Sequence, residues 1–153
     1  MLSQDAFTVA TLEVDKQAVA KVVLRNAGPL TALDVWVWGT SMLGGPAPVF
    51  PQGGGPISPP GMSRTEWQER ESRTVVGPGA SITIPIPFGP YNQGAVDAIK
   101  GGTRRLYFYG CANYRDKTRR AWTLKFCGFY EPTDASVNFC HEHNREEEGR
   151  TCH

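Results

Sequence analysis

The sequence feature that most constrains the fold is a pair of alternating segments, residues 104–114 and 119–130, joined by a short polar turn at 115–118. Side chains alternate between the two faces of a strand. Each segment places large apolar side chains on one face: Leu106, Phe108 and Tyr114 in the first, and Trp122, Leu124 and Phe126 in the second. Because aromatic residues suit a pleated, half-buried surface, the pattern predicts a β-hairpin at the centre of the core.

The rest of the chain indicates further short strands separated by turns. Asn92 is placed to cap one short helix before the hairpin, and the 17 Gly and 12 Pro favour many turns over long helices. Alternation and turn residues predict the other strands within 6–14, 18–26, 34–40, 72–76, 82–87 and 136–140. We therefore predict an all-β fold, an immunoglobulin-like (Ig-like) two-sheet β-sandwich of about seven strands with one short helix.

Two segments carry signals about their place in the sheets. Both faces of the segment 34–40 are apolar, with Trp36 and Trp38 on one of them, which predicts a central or covered strand. Pro85 and Pro87 remove hydrogen-bond donors from one side of their strand, which predicts an edge position.

The chain length suits one domain, which we place at residues 1–144, followed by a polar tail at 145–153. Residues 43–63 form a long loop rich in Gly and Pro. Long loops inside compact domains often bind partners. The apolar residues in or beside this loop are therefore the candidates for a binding surface: Phe50, Met62 and Trp67.

Charge and hydropathy narrow the classes of partner. The formal net charge of +1 gives no overall attraction toward nucleic acids or anionic membranes. No run approaches the roughly 20 apolar residues of a membrane span, and no segment has the form of a signal peptide. We expect no membrane insertion from this sequence.

The four cysteines allow three disulfide pairings. A strand followed by a return segment can bring Cys127 and Cys140 to the roughly 5.5 Å Cα spacing of a disulfide, and this is the preferred pair. Cys111 with Cys152 is the second pair, which requires the tail to fold back. Two disulfides would imply an oxidising compartment, where such bonds form and persist. The alternative is a cytosolic protein in which the four cysteines are buried free thiols.

The C-terminal residues could instead form a metal site. Zinc takes three or four Cys and His ligands, and such donors are concentrated near the end of the chain: Cys140, His141, His143, Cys152 and His153. Their spacing matches no known zinc module. The same segment could instead use His143 and Asn144 to hydrogen-bond to the backbone at the end of the last strand. We predict no cofactor and keep these five residues as the metal candidates.

Signals for catalysis are weak. All three histidines follow Cys140, a G-x-S-x-G nucleophile elbow is absent, and the glycines at 53–55 lack the lysine of a phosphate-binding loop. A Cys127–His143 nucleophile pair would require a free thiol at Cys127. We predict that the protein is not an enzyme.

Basic residues concentrate around the hairpin and alternate with aromatic residues along the chain. The basic residues are Arg104, Arg105, Arg115, Lys117, Arg119, Arg120 and Lys125. Such a mixture can bind single-stranded nucleic acid. We favour the alternative that the charges protect turns and strand edges while the aromatic residues belong to the core. The acidic run at 146–148 could also dock on this patch.

Three segments resemble a group of uncharacterised bacterial proteins: LYFYGCANYRD at 106–116, WTLKFCGFY at 122–130 and FCHEHN at 139–144. The pattern of that group is Y-x-Y/F-G, then Y-x-D, then T-x-F-C-x-x-Y, then C-x-x-H-N. Upstream, LRNAG at 24–28 and VGPG at 76–79 are similar to further segments of the group. Cys111 and Cys152 are not part of the pattern.

The resemblance implies an Ig-like domain outside the cytoplasm, in the periplasm or cell envelope, usually preceded by a membrane helix that is not found in this sequence. It implies no activity. We therefore expect a non-enzymatic binding or structural module with a protein partner. The alternatives are a stand-alone cytoplasmic sandwich with a metal-binding tail, and a nucleic-acid-binding protein.

Overall fold

The computed structural model describes residues 1–45, 74–141 and 144–149, and this part of the chain is mostly β-structure. Its elements in chain order are β1 (Leu2–Val9), β2 (Ala18–Asn26), β3 (Ala32–Gly44), β4 (Thr74–Val76), β5 (Ser81–Phe88), α1 (Gln93–Lys100), β6 (Arg105–Arg115), β7 (Ala121–Glu131), β8 (Ser136–Phe139) and β9 (Arg145–Glu148). Asn92 caps α1 as predicted, because its side-chain oxygen accepts from the Ala95 backbone N–H at 2.9 Å. Within these described ranges, no helix is long and apolar enough to span a membrane.

The strands form two antiparallel sheets that pack against each other. The small sheet has the order β1-β2-β5, and the large sheet has the order β4-β3-β6-β7-β8. β9 pairs with β7 opposite residues 122–125, whereas β8 pairs opposite residues 128–131. Because β6 occupies the other side of β7, β8 and β9 lie in succession along one edge of the large sheet. The prediction of a two-sheet β-sandwich is confirmed, with nine strands in the described residues instead of about seven.

The predicted hairpin lies at the centre of the core. Leu106, Phe108 and Phe126 are at most 1% exposed and pack with apolar residues of the small sheet. A second buried cluster lies on the opposite face of the large sheet and contains Trp36 and Trp38. β3, which carries both tryptophans, lies between β4 and β6. Its prediction as a central strand is therefore confirmed.

β5 lies at an edge of the small sheet, which confirms the edge prediction. Pro85 and Pro87 are opposite Lys21 and Val19 of β2. A strand with two prolines can pair on one side only, because their nitrogens cannot donate to a second neighbour.

Gly110 makes room for an aromatic ring in the large sheet. It pairs with Gly39 of β3 on one side and with Phe126 of β7 on the other. A Cβ atom at Gly110 would overlap the Trp38 carbonyl oxygen and the Phe126 ring. The close approach of these groups therefore requires glycine at a position where alternation alone predicts an apolar side chain.

Asn26 joins two turns at one end of the sandwich. The residue is fully buried. Its amide nitrogen donates to the carbonyl oxygens of Leu30 at 2.7 Å and Val76 at 2.9 Å, and its side-chain oxygen accepts from the Gly28 backbone N–H at 3.1 Å. The asparagine of the LRNAG segment therefore has a structural role.

The two ends of the chain differ from the prediction. Residues 145–148, assigned from sequence to a polar tail, form β9 within the large sheet. All four of these residues are charged, so no alternation indicates a strand, and pairing with the edge of β7 decides their conformation. β1 covers Leu2–Val9 instead of residues 6–14.

Candidate binding site at the open edge of the sandwich

The predicted Cys127–Cys140 disulfide is present, with 5.4 Å between the Cα atoms. The Cys140 backbone N–H also donates to the Cys127 carbonyl oxygen at 3.1 Å. The Asn144 side chain accepts from the Cys127 backbone N–H at 2.8 Å and donates to the Cys140 carbonyl oxygen at 2.7 Å. The disulfide and Asn144 therefore fasten the ends of β8 and β9 to β7, and the predicted role of Asn144 is confirmed.

Cys111 is buried and disulfide-bonded. Its predicted partner, Cys152, lies outside the described residues. No cysteine in the described part of the chain is free, so the free-thiol alternative is wrong for Cys111, Cys127 and Cys140. The proposed loop surface at 43–63 lies mostly outside the described residues, as do its candidates Phe50 and Met62 and the nearby Trp67.

The alternative metal site loses one of its ligands, because Cys140 is held in a disulfide. His141 is exposed, and His143, Cys152 and His153 lie outside the described residues. In the described ranges, no group of three or more His, Cys, Asp or Glu residues could hold a metal ion. The Cys127 disulfide equally excludes this residue as a thiolate nucleophile.

Asp116 organises the β6–β7 turn. Its carboxylate accepts hydrogen bonds from the Thr118 hydroxyl at 2.6 Å, the Arg120 backbone N–H at 3.1 Å and the Trp122 indole at 3.1 Å. These hydrogen bonds, of which that from Thr118 contributes most, lower the pKa of Asp116 to about 2. The aspartate of the Y-x-D pattern therefore stabilises a turn.

The cations at this turn are partly compensated by acidic residues. Four exposed basic residues surround it: Arg115, Lys117, Arg119 and Arg120. Asp116 lies among them, and Glu148 of β9 comes within 3.9 Å of Arg120, in line with the alternative that the acidic run docks here. Tyr107 and Tyr114 are buried in the core. These two tyrosines cannot stack on bases, which removes part of the case for nucleic-acid binding.

β1 packs against β7, β8 and β9 at one edge of the sandwich. A cavity of about 300 Å³ lies there and is partly open to solvent. Its apolar wall contains Leu2, Leu124 and Phe139. Its polar residues include Gln4, Lys125, Arg145 and Glu146. The volume is at the lower end of the range for ligand sites, and we define these seven residues as the open-edge site.

Phe139 is the exposed apolar residue of the open-edge site. It is 50% exposed and ends β8, directly before the disulfide-bonded Cys140. Its ring contacts Phe7 of β1 with 6.1 Å between ring centroids. The disulfide and this ring contact hold an apolar side chain at the rim of the cavity.

Glu146 holds the beginning of β1 against the large sheet. Its carboxylate accepts hydrogen bonds from the Tyr114 hydroxyl and from the Leu2 backbone N–H, the latter at 3.1 Å. Burial raises the pKa of Glu146, although the hydrogen bond from Leu2 acts in the opposite direction. The carboxylate is therefore committed to a structural contact between the sheets.

Gln4 also lines this cavity, and its side-chain amide is buried and forms no hydrogen bond. Neither its side-chain nitrogen nor its oxygen has a partner within the described residues. A β-bulge between Gln4 and Ala6 shifts the register of β1 against β2. A buried polar group left unsatisfied costs about 1–3 kcal/mol, so its presence in a native fold requires an explanation.

Two cations are opposite each other on β7 and β9, on the outer face of the large sheet beside the cavity. Lys125 is directly opposite Arg145 in the strand register, and like charges at opposed positions are destabilising. Arg145 is balanced by Glu147, with 2.8 Å between the charged atoms. Lys125 forms no ion pair with any described residue, and because it alternates with the core residue Leu124, its charge lies on the outer face of the large sheet.

Most residues of this site were missed by the sequence analysis. Lys125 belongs to the predicted basic patch and Glu146 to the acidic run at 146–148, but neither residue was predicted to line a cavity. Gln4 was missed because β1 was predicted to begin at residue 6. A polar residue between the apolar residues Leu2 and Phe7 is a weak signal of a buried polar group. Glu146 has no local signal, since its buried position depends on the pairing of β9 with β7.

No protein-family model, curated protein or solved structure matches this chain.

Proposed function

We propose that the protein is a non-enzymatic protein-binding domain that works outside the cytoplasm through its open-edge site. The observation that carries the proposal is the half-exposed Phe139 at the rim of a cavity. Exposed apolar surface bordered by polar residues marks interaction sites on soluble domains.

The strand order supports an Ig-like assignment. In the lettering of Ig domains, β1, β2 and β5 correspond to strands A, B and E of one sheet. β3, β6 and β7 correspond to strands C, F and G of the other, with β4 in the C′ position. Sandwiches of this architecture occur in many cell-surface domains and present their contacts on edges and loops, which agrees with a surface site.

The disulfides support a location outside the cytoplasm. The Cys127–Cys140 bond is compatible with an oxidising compartment, where such bonds form and persist. Residues shared with the bacterial pattern are structural in this chain: Asn26, Tyr114, Asp116, Cys127 and Asn144. A shared pattern of structural residues would give the proteins that carry it the same fold, although each could bind a different partner.

Photocrosslinking in cells that produce the protein natively tests the proposal. A photoreactive phenylalanine analogue at position 139 reports on the open-edge site. The same analogue at Val19 and Val75, which are 41% and 61% exposed and lie away from the cavity, provides matched controls. We expect a discrete protein adduct from position 139 and no such adduct from the controls. Equal adducts at all three positions, or none at any, would contradict the proposal.

A further inference from the structure

We infer that the Cys127–Cys140 disulfide is a redox-sensitive latch, whose reduction releases β9 and the beginning of β1 while the rest of the sandwich stays folded. The latch does not depend on the proposed binding function, because it changes only the conformation of this chain.

A continuous set of contacts leads from the disulfide to β9. The Asn144 side-chain oxygen accepts from the Cys127 backbone N–H at 2.8 Å. Its amide nitrogen donates to the carbonyl oxygens of Cys127 at 3.1 Å and Cys140 at 2.7 Å. Asn144 directly precedes Arg145, where β9 begins. Asn144 therefore bridges the two bonded cysteines, and it keeps all of these hydrogen bonds only while Cys140 lies beside Cys127.

β9 in turn holds the beginning of β1. The Glu146 carboxylate accepts from the Leu2 backbone N–H at 3.1 Å and from the Tyr114 hydroxyl. The same N–H lies 3.2 Å from the Tyr114 hydroxyl oxygen, so the three groups form one cluster. Leu2 is 1% exposed. If β9 leaves the sheet, Leu2 and Tyr114 lose a charged acceptor, and the first residues of β1 lose a contact with the large sheet.

The interactions that β9 itself makes are weak. All four of its residues are charged, and Glu is depleted in strands. Arg145 is directly opposite Lys125, and such like-charged pairs are destabilising. The ion pairs of Arg120 with Glu148 and of Arg145 with Glu147 each include a side chain that is more than half exposed, and such pairs contribute little. β9 therefore depends on the anchor that precedes it.

The disulfide is accessible from the Cys140 side. Cys127 is fully buried, whereas Cys140 is half-buried between the exposed residues Phe139 and His141. A thiolate of a dithiol reductant attacks Cys140 Sγ and forms a mixed disulfide, and Cys127 leaves as a thiolate that takes up a proton. The second thiol of the reductant then attacks the mixed disulfide. The reductant is oxidised to its own disulfide, and both cysteines become thiols.

Reduction should open the molecule locally. Release of β9 leaves residues 122–125 of β7 without a partner on that side, which is an open sheet edge. The other side of β7 stays paired with β6, and the core residues Leu24 and Phe108 lie on strands that do not contact β9. Segments with few buried apolar contacts open separately from the core, so the oxidised protein has a closed edge and the reduced protein an open one.

Amide hydrogen exchange measured by NMR before and after reduction tests the latch. The protein is the full chain with Cys111→Ala and Cys152→Ala, in which Cys127 and Cys140 are the only cysteines, and the reductant is dithiothreitol. We expect exchange to rise about tenfold or more at Leu2 and at the paired amides of β9, with little change in β2 and β6. Reoxidation should restore the protection.

A second comparison does not require the first variant to fold. The Cys127→Ala, Cys140→Ala variant, with Cys111 and Cys152 unchanged, is compared with the wild type at the same amides. We expect the same local rise in exchange.

Substitution of Asn144 tests the path of contacts. Asn144→Ala keeps the disulfide and removes the bridge to β9, so exchange should rise in β9 and at Leu2 but not in β8. Asn138→Ala, at an exposed position of β8, is the matched control and should leave exchange in β9 unchanged.

Three outcomes would overturn the latch. Unchanged exchange in β9 after reduction would show that strand pairing alone holds β9. An equal rise in β2 and β6 would show that the bond stabilises the whole fold. An effect of Asn144→Ala no larger than that of Asn138→Ala would show that the disulfide and β9 are not coupled through Asn144.

Discussion

Gln4 and Glu146 are both polar residues of the open-edge site, but only one of the two side chains forms hydrogen bonds. The Glu146 carboxylate accepts hydrogen bonds from Tyr114 and Leu2, whereas the Gln4 amide has no partner within the described residues. A buried polar group without a hydrogen bond loses its contacts with water and gains nothing in return. The two residues should therefore respond differently to substitution.

Replacing Gln4 by an apolar side chain of similar length should stabilise the fold. Gln4→Met removes the unsatisfied amide and keeps most of the side-chain volume, so we expect the free energy of unfolding to rise by about 1 kcal/mol. Urea denaturation of the oxidised protein measures this change. Gln17→Met, at an exposed position, should have little effect. A loss of stability with Gln4→Met would show that the amide has a partner in solution.

The half-buried carboxylate of Glu146 should make stability depend on pH. Because its pKa is raised in the folded protein, the favourable contribution is complete below the ordinary value of 4.5 and is lost as pH rises through the folded pKa. Glu146→Gln keeps an acceptor oxygen and removes the charge. We expect the variant to match or exceed the wild type at neutral pH, with a difference that shrinks toward acidic pH in urea titrations. A pH-independent difference would contradict this.

At the scale of elements, the β6–β7 hairpin combines a strong sequence signal with a hidden packing requirement. Alternation places Gly110 on the inner face between Phe108 and Ala112, where an apolar side chain is expected. The structure instead uses the empty position to bring the Phe126 ring close to the backbone of β3. Small substitutions at this position should therefore be costly.

Gly110→Ala should lower the free energy of unfolding by about 3 kcal/mol, because overpacking against backbone atoms cannot be relieved by a rotamer change. Gly77→Ala is the matched control, since an added Cβ atom there meets nothing within 4 Å, and it should change stability by less than about 0.5 kcal/mol. Urea denaturation of both variants provides the comparison. Equal effects would show that the loss of glycine flexibility, rather than packing, decides the outcome.

At the scale of the whole molecule, the Cys127–Cys140 disulfide fastens one edge of the large sheet. The bond closes a segment with a sequence separation of 13 residues, which includes β8 and the exposed Phe139. Asn144 adds hydrogen bonds to both cysteines. The disulfide therefore supports the fold and also positions the open-edge site.

Replacing both cysteines of this bond avoids a free thiol and should cost about 3 kcal/mol of stability, the value expected for a loop of this length. The measurement is urea denaturation of the Cys127→Ala, Cys140→Ala double variant. Hydrogen exchange should show that protection falls in β8 more than in β2. Uniform loss of protection would show that the bond stabilises the sandwich without holding this edge in particular.

The sequence alone determined the elements whose signals are local. Alternation in residues 104–130 predicted the central hairpin, Pro85 and Pro87 predicted an edge strand, and Asn92 predicted a helix cap, because each signal depends on neighbouring residues. The preferred cysteine pair followed from the spacing of two residues around a strand and its return.

The tertiary structure decided everything that depends on contacts between distant segments. The charged residues 145–148 form a strand because β7 offers them an unpaired edge. Gln4, Lys125 and Phe139 come to line one cavity because β1 packs against β7 and β8. No local sequence pattern predicts these contacts, because they depend on pairing between strands that are far apart in the sequence. The open-edge site could therefore be found only in the folded molecule.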